Sequence, residues 1–295
     1  MHFWKYLKFQ LRQLMLQKRW LLIFPVMGFI AYLLSNVLTL ENYPQVAEVP
    51  LGFGVSADNA APFNAWDVLF IAFGNAEYMT FAIANLFLLL VSNSLSESEF
   101  GQLAVFRLSF RRKWWLAKSL SMLIAAFTFV ITGMLVVLGY GGLKLGFEPG
   151  WSRFADYGAN ILVPFVHKIG VTSPLGLSLV VLGLCTLGFW ALGMLMQVVS
   201  LASRENILGY LSALMVMIGG LAVSEILVNV PDWMKILTPI RNMILTHWPF
   251  PFRNTPIWWS FLYWAISISL LLWLGWRISQ RYDLLSGNRS KEEGA

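Results

Sequence analysis

Long uncharged stretches are the feature that most constrains the fold of this chain of 295 residues. A transmembrane helix needs about 20 largely apolar residues to cross the roughly 30 Å of bilayer hydrocarbon. Six stretches meet this requirement, and they predict spans at about residues 20–40, 78–96, 117–141, 174–201, 206–230 and 255–278. We therefore expect an all-α polytopic membrane protein, with a six-span transmembrane domain over residues 20–285.

The composition agrees with this expectation. Hydrophobic residues make up 58% of the chain and charged residues only 12%, about half the charged share of a typical soluble domain. Aromatic residues reach 15%, with 14 Trp, and Trp is enriched where a membrane meets water. Soluble, collagen-like and disordered classes are excluded.

The distribution of Lys and Arg predicts the orientation. With both termini in the cytoplasm, 15 of the 21 basic residues fall on cytoplasmic segments and six fall on outer segments, as the positive-inside rule requires. The net charge of +6 is then a consequence of membrane topology. We predict a multi-pass protein of the cell membrane and no nucleic-acid partner, because no basic patch lies outside the cytoplasmic segments.

Residues 1–19 predict an amphipathic helix at the membrane interface. Its basic side is expected to face anionic lipid headgroups. On a helical wheel the apolar and basic residues separate into Phe3, Leu7, Leu11 and Leu14 on one face and Lys5, Lys8, Arg12 and Arg19 on another. At the other end of the chain, the polar residues 286–295 predict a flexible cytoplasmic tail.

Segments near three of the spans have patterns of their own. The apolar stretch from Trp66 to Glu77, interrupted by Asp67, predicts a partial helix that enters the second span. Pro174 predicts the first turn of the fourth span. Residues 231–252, rich in Pro and Trp, predict a re-entrant or interfacial hairpin before the last span.

Motifs for catalysis and cofactor binding are missing from the sequence. The three His residues are far apart, and the single Cys185 cannot build a metal site. No phosphate-binding loop and no nucleophile motif occur. We therefore expect no metal site, no catalytic residue and no cofactor on this chain.

The segment between the second and third spans carries the strongest functional pattern. It begins with Glu97 and Glu99, and such acids favour a helix N-terminus. Apolar side chains follow and a basic cluster ends the segment, namely Phe100, Leu103 and Phe106, then Arg111 and Arg112. This pattern predicts an amphipathic helix over about residues 97–110 that fits a groove on a soluble partner. The alternative is a solvated connector.

Trp114 and Trp115, which follow, are expected to anchor the third span at the headgroups.

This segment resembles the coupling-helix region of ABC transporter type-two permeases, the six-span subunits of ATP-driven exporters. Glu97, Glu99, Gly101 and Leu103 fit the family's pattern of acid, acid, Gly and Leu, and Ser109 stands where the family often has proline. The remaining points of resemblance are Arg111, Arg112 and Lys118, the basic N-terminal helix, the turn at residues 203–206, and Pro231 and Pro239.

The resemblance implies a mechanism and a set of partners. Two permeases, identical or related, would form an export pathway at their interface, for a drug, peptide, lipid or similar cargo. A dimer of cytoplasmic ATPase subunits would bind ATP and Mg²⁺ and move the coupling helices. The coupling helix would contact the ATPase through Glu97, Glu99, Phe100, Gly101, Leu103, Phe106, Arg111 and Arg112.

Two polar residues inside the spans are candidates for the pathway. Asn85 and Gln197 lie in hydrocarbon, where an unpaired polar group is costly, and the alternative for each is a hydrogen bond between helices. The alternatives to a permease are a channel or secondary carrier that does not use ATP, a membrane-embedded enzyme, and a receptor or assembly subunit.

Overall fold

The computed structural model describes residues 3–43, 61–94, 111–156, 173–227, 230–244 and 257–281. These residues form helices joined by turns and short loops, and no strand occurs among them. Five helical segments are long and apolar enough to cross a membrane: Lys18–Val37, Arg112–Leu145, Pro174–Ser203, Asn206–Ile226 and Ile257–Gln280. These five helices agree with the expected multi-pass helical membrane protein. The described residues do not establish the expected count of six spans.

The first helix, α1 (Phe3–Met15), packs against the bundle. A 3₁₀ turn, Lys18–Leu22, leads directly into α2 (Ile23–Val37). The indole Nε1 of Trp20 donates a hydrogen bond to the carbonyl of Leu14, at 2.8 Å. This bond fixes the end of α1 to the start of the first span.

The second span differs most from the sequence expectation. Helix α3 (Ala65–Gly74), in which every residue is buried, stops at Asn75. The backbone of Asn75 is extended there, and its side-chain Oδ1 accepts a hydrogen bond from the Tyr78 N–H at 2.9 Å. A π-helix, Tyr78–Ala84, then continues into α4 (Asn85–Val91). The partial helix predicted over residues 66–77 therefore exists, but a break separates it from the apolar helix that follows.

Helix α5 (Arg111–Leu145) is the centre of the bundle. Its 35 residues correspond to a length of about 52 Å at 1.5 Å per residue, so it extends well beyond the hydrocarbon thickness. It packs on α1, α2 and α3, and on two later helices, α6 (Pro174–Ser203) and α10 (Ile257–Arg281). Phe129 of α5 meets Phe87 and Phe189 with ring centroids 5.3 Å from each, which places aromatic packing at the middle of the core.

Helices α6 (Pro174–Ser203) and α7 (Asn206–Leu221) form a tight hairpin. The side chain of Ser173 caps the Gly176 N–H, and Pro174 occupies the first turn, as the sequence predicts. Arg204 ends α6 in the left-handed conformation, with φ 63°. Gly209 brings α7 so close to α6 that a Cβ there would overlap the Met196 carbonyl. A π-helix, Ala222–Ile226, extends α7.

Two short helices precede the last span. They are α8 (Asp232–Ile236) and α9 (Pro239–Met243), and α9 packs on α6, α7 and α10 (Ile257–Arg281). The fully buried Asn242 of α9 is bonded to the end of α8 and to the turn between the two helices, because its Nδ2 donates to the carbonyls of Ile236 and Thr238. Its Oδ1 accepts a hydrogen bond from Ser260.

Candidate functional site at the basic end of the bundle

Charge divides the bundle into two ends. We call the end at which α5 begins the basic end, since it holds 12 of the 16 basic residues in the described ranges. The described ranges contain eight acidic residues, and only Glu205 among them lies at the basic end. The basic residues of this end are Lys5, Lys8, Arg12, Lys18, Arg19, Arg111, Arg112, Lys113, Lys118, Arg204, Arg277 and Arg281.

Ser94, after the end of α4, forms hydrogen bonds with both α5 and α6 at the basic end. Its carbonyl accepts a hydrogen bond from Lys118 Nζ at 2.6 Å, and its hydroxyl accepts one from Gln197 Nε2 at 3.1 Å. Lys118 is only 1% exposed, so the stem of this side chain is packed inside the protein. Ser94 and the first turns of α5 flank residues 95–110. The Lys118 bond therefore holds together the two points between which that segment runs.

The first turns of α5 are also locked to α10. Trp115 Nε1 donates to the carbonyl of Leu272 at 3.0 Å. Gly275 lies against the same indole ring so closely that a Cβ would overlap it. Trp114 and Trp115 are 3% and 1% exposed. The expectation that these two residues anchor the span at the lipid headgroups is therefore wrong, because their rings are buried within the protein.

A second set of contacts joins the same turns to α6. The carbonyl of Ser119 accepts a hydrogen bond from Trp190 Nε1 at 3.0 Å, and the hydroxyl of Ser119 lies 3.2 Å from the sulfur of Met194. Met122 packs on Gly193 with no room for a larger residue. Close helix packing, the default role of glycine in spans, accounts for Gly193.

Helix α1 closes the other side of these turns. A small polar cavity of about 10 Å³ lies between α1, the turn after α4 and the start of α5. The residues that line it are Gln10, Gln13, Leu14, Asn93, Ser94 and Ser121. The start of α5 thus contacts α1, the turn after α4, α6 and α10 within about three helical turns.

Most of the predicted coupling residues fall outside the described ranges. These are Glu97, Glu99, Phe100, Gly101, Leu103 and Phe106, with the whole predicted helix over 97–110. The predicted tail at 286–295 also lies outside them. Arg111 is the first residue of α5. Arg112 is exposed, and its guanidinium lies 5.7 Å from the centroid of the Trp276 ring, a distance typical of a cation–π contact.

The two candidate pathway residues occupy separate places. Asn85 is half-buried, and its Oδ1 accepts a hydrogen bond from the Tyr210 hydroxyl, which joins α4 to α7. Gln197 is fully buried, and its Oε1 has no hydrogen-bond partner in the structure as described. Asn85 bonds to Tyr210 and Gln197 bonds to Ser94, so each residue has its own hydrogen-bond partner.

The opposite end of the bundle carries a compact structure that we call the cap, formed by residues 61–67 and 146–156. Asp67 Oδ2 accepts from the Asn64 N–H and Oδ1 accepts from the Ser152 hydroxyl, both at 2.8 Å. Trp66 Nε1 donates to the carbonyl of Glu148 at 2.8 Å. Asp67 is 4% exposed, and burial raises the pKa of Asp67 to about 7 although both hydrogen bonds favour the charged form.

No group of three or more His, Cys, Asp or Glu side chains that could hold a metal ion occurs in the described ranges. The side chains that meet at the basic end are amides, hydroxyls, an ammonium and indoles. They can position helices and bind anions or water, and they include no acid–base pair or nucleophile arrangement.

Sequence reasoning missed two residues of this site and the contact made by a third. Lys118 is identified in the sequence as a point of family resemblance, but its bond to Ser94 is not, and nothing in the sequence marks Ser94. Nothing in the sequence marks Gly275 either, because its role depends on the ring of Trp115, 160 positions earlier in the chain. Comparison of the chain with known protein families, with characterised proteins and with solved structures finds no match.

Proposed function

We propose that this chain is the membrane subunit of an ABC exporter and that ATP is hydrolysed on a separate dimer of cytoplasmic subunits. The basic end faces the cytoplasm in this proposal, because Lys and Arg favour that side. Both termini are then cytoplasmic. The π-helix and α4, residues 78–91, belong to the second of six spans in this proposal. A second permease, identical or related, completes the pathway.

One observation carries the proposal: the points that flank residues 95–110 are joined, and the helix that follows them contacts four other parts of the bundle. Lys118 bonds to the Ser94 carbonyl, and the first turns of α5 pack on α1, α6 and α10. A force applied to residues 95–110 would therefore displace several helices together. A coupling helix needs this connection, whereas a solvated connector does not.

The sequence of residues 97–110 supplies the second support. Its apolar residues, Phe100, Leu103 and Phe106, are those that an ATPase groove would bury, at roughly 1.5–3 kcal/mol each. Glu97 and Glu99 would contribute less, since exposed ion pairs are worth roughly 0–1 kcal/mol. No cofactor is proposed for this chain, and ATP and Mg²⁺ belong to the partner.

The experiment compares two double variants of the full chain, each co-expressed with a candidate ABC ATPase subunit. We expect Phe100→Ala with Leu103→Ala to reduce co-purification of the ATPase and to uncouple ATP turnover from transport. The matched variant, Glu97→Gln with Glu99→Gln, should have a smaller effect. Monodispersity in detergent reports folding. Full co-purification and coupling in the apolar variant would refute the proposal.

A channel or secondary carrier is the second candidate, and the break at Asn75 favours it. Broken helices form substrate and ion sites in many secondary transporters, and π-helices are frequent at functional sites. Transport by the chain alone in vesicles, driven by an ion gradient and independent of ATP, would support this candidate over the exporter.

A further inference from the structure

The apolar face of α1 is already occupied by protein. Tyr6, Leu7 and Leu14 are 0%, 4% and 5% exposed, and the helix packs on α5. An amphipathic helix that lies in a membrane interface buries its apolar face in lipid. Helix α1 cannot use that face in this way, so any contact of α1 with the membrane must come from its other side.

That other side is basic. Lys5, Lys8 and Arg12 are exposed and follow the spacing i, i+3, i+7, which places them on one helix face. Trp4, 72% exposed, lies beside them on α1. We call these four residues the basic strip. No acidic residue precedes Glu41 in the sequence, so no carboxylate of α1 or α2 neutralises the strip.

The position of the strip relative to the bilayer follows from the turn into α2. Leu21, Leu22 and Phe24 are 65%, 42% and 53% exposed at the start of the first candidate span. The turn itself is fixed, because Arg19 donates to the Leu89 carbonyl at 3.0 Å and to the Ser92 hydroxyl at 3.1 Å. With α2 in the bilayer, this turn lies at the edge of the hydrocarbon, and the last turn of α1, which carries Arg12, lies at the level of the headgroups.

From these observations we propose that the basic strip binds anionic phospholipid headgroups, and that charge rather than insertion of an apolar face holds α1 at the membrane. Phosphate groups of anionic lipids attract Lys and Arg near a membrane surface. An exposed Trp beside cations suits the same interface, where its ring sits at the headgroup level. The inference does not depend on the proposed exporter function, because it concerns the chain alone.

The test uses the full chain in nanodiscs of phosphatidylcholine with a minor fraction of phosphatidylglycerol. A donor dye is attached at Leu16→Cys, which is 77% exposed as Leu and lies beside the strip, in a Cys185→Ser background. Energy transfer to headgroup-labelled phosphatidylglycerol is compared with transfer to headgroup-labelled phosphatidylcholine. The ratio of the two reports enrichment of the anionic lipid at α1.

We expect phosphatidylglycerol to be enriched near α1 in the chain with the unsubstituted strip. Enrichment should disappear at about 1 M salt, where the Debye length is about 3 Å. The variant Lys5→Gln, Lys8→Gln, Arg12→Gln should lose most of it, since each cation is worth roughly a five-fold change near an anionic surface. The matched variant Lys5→Arg, Lys8→Arg, Arg12→Lys keeps the charge and should keep the enrichment. Lys144→Gln, an exposed cation at the other end of the bundle, should change nothing.

Two results would overturn the proposal. One is an equal ratio of energy transfer in the neutral variant and the unsubstituted chain. The other is loss of a co-purified acidic protein in the neutral variant with lipid enrichment unchanged, which would assign the strip to a protein partner. Neither result bears on the coupling helix, because the assay contains no ATPase and no ATP.

Discussion

The basic end and the cap use polar side chains in opposite ways. In the cap, each polar group satisfies another nearby: Asp67 accepts from Asn64 and Ser152, and Asn64 Nδ2 donates to the Gly150 carbonyl. At the basic end, bonds such as Lys118 to Ser94 and Trp115 to Leu272 tie one helix to another. The cap is thus a self-contained structural unit, whereas the basic end distributes contacts across the whole bundle. Four predictions test this difference.

The largest effect is expected where α5 meets α10. In Gly275→Ala the added Cβ overlaps the Trp115 ring, and moving that ring breaks its bond to Leu272. Overpacking of this kind costs about 2–3 kcal/mol, so the unfolding temperature in detergent should fall clearly. The control is Gly219→Ala on α7, where nothing lies within 4 Å, and alanine there should be neutral or slightly stabilising. Equal behaviour of the two variants would refute the contact.

The next effect concerns the bond that holds the flanks of residues 95–110 together. Lys118→Met removes the donor to the Ser94 carbonyl, and a hydrogen bond to a charged group is worth about 1.5–3 kcal/mol. We expect reduced stability and, if the chain is a permease, reduced coupling. Lys144→Met, at an exposed position, serves as the control and should leave both unchanged. Wild-type coupling in the Lys118 variant would show that this bond does not transmit force.

The cap should respond to pH through Asp67. Because the pKa of about 7 for Asp67 in the folded state exceeds the ordinary pKa of 3.8 for an Asp side chain, the folded state binds the proton more tightly than the unfolded state. Stability is therefore fully present at low pH and is lost as pH rises through 7. Between pH 5 and pH 8 we expect a loss on the order of 2 kcal/mol. Thermal unfolding of Asp67→Asn should depend less on pH, and an unchanged pH dependence would contradict the assignment.

The smallest effect is expected at Asn85. If its hydrogen bond to Tyr210 only joins two helices, a double-mutant cycle of Asn85→Ala and Tyr210→Phe should give a coupling energy of about 0.6 kcal/mol. If the chain is a permease, transport by Tyr210→Phe and by Asn85→Ala should then be similarly and weakly reduced. A loss of transport confined to the Asn85 variant would instead place Asn85 in the pathway.

The sequence predicted the features that depend on long local patterns. The apolar stretches and Pro174 located the long helices, since length and the first-turn preference of proline act within one segment. The break at Asn75 was not predicted, because the sequence analysis has the partial helix over residues 66–77 run directly into the second span. At the break the Asn75 side chain accepts a hydrogen bond from the Tyr78 N–H, a contact that composition does not reveal.

Features that depend on distant residues could not be predicted either. The apolar face of α1 has the same pattern whether it meets lipid or α5, because hydrophobic burial has no direction. Gln197 and Ser94 are 103 positions apart, and neither residue type indicates the other. The burial of Trp115 likewise follows from its contacts with Leu272 and Gly275 of α10, which the general preference of Trp for membrane interfaces does not predict.

The length of α5 has a mechanical consequence. One uninterrupted helix runs from the turns around Lys118 to Gly141, where the Cα of Ala65 at the edge of the cap would lie 3.3 Å from an added Cβ. Such a helix acts as a lever arm. A tilt of about 5° about its first turns would carry its far end sideways by about 4–5 Å over its length of about 52 Å. A small rotation at the basic end would thus produce a sideways movement of several ångströms at the opposite side, beside the cap.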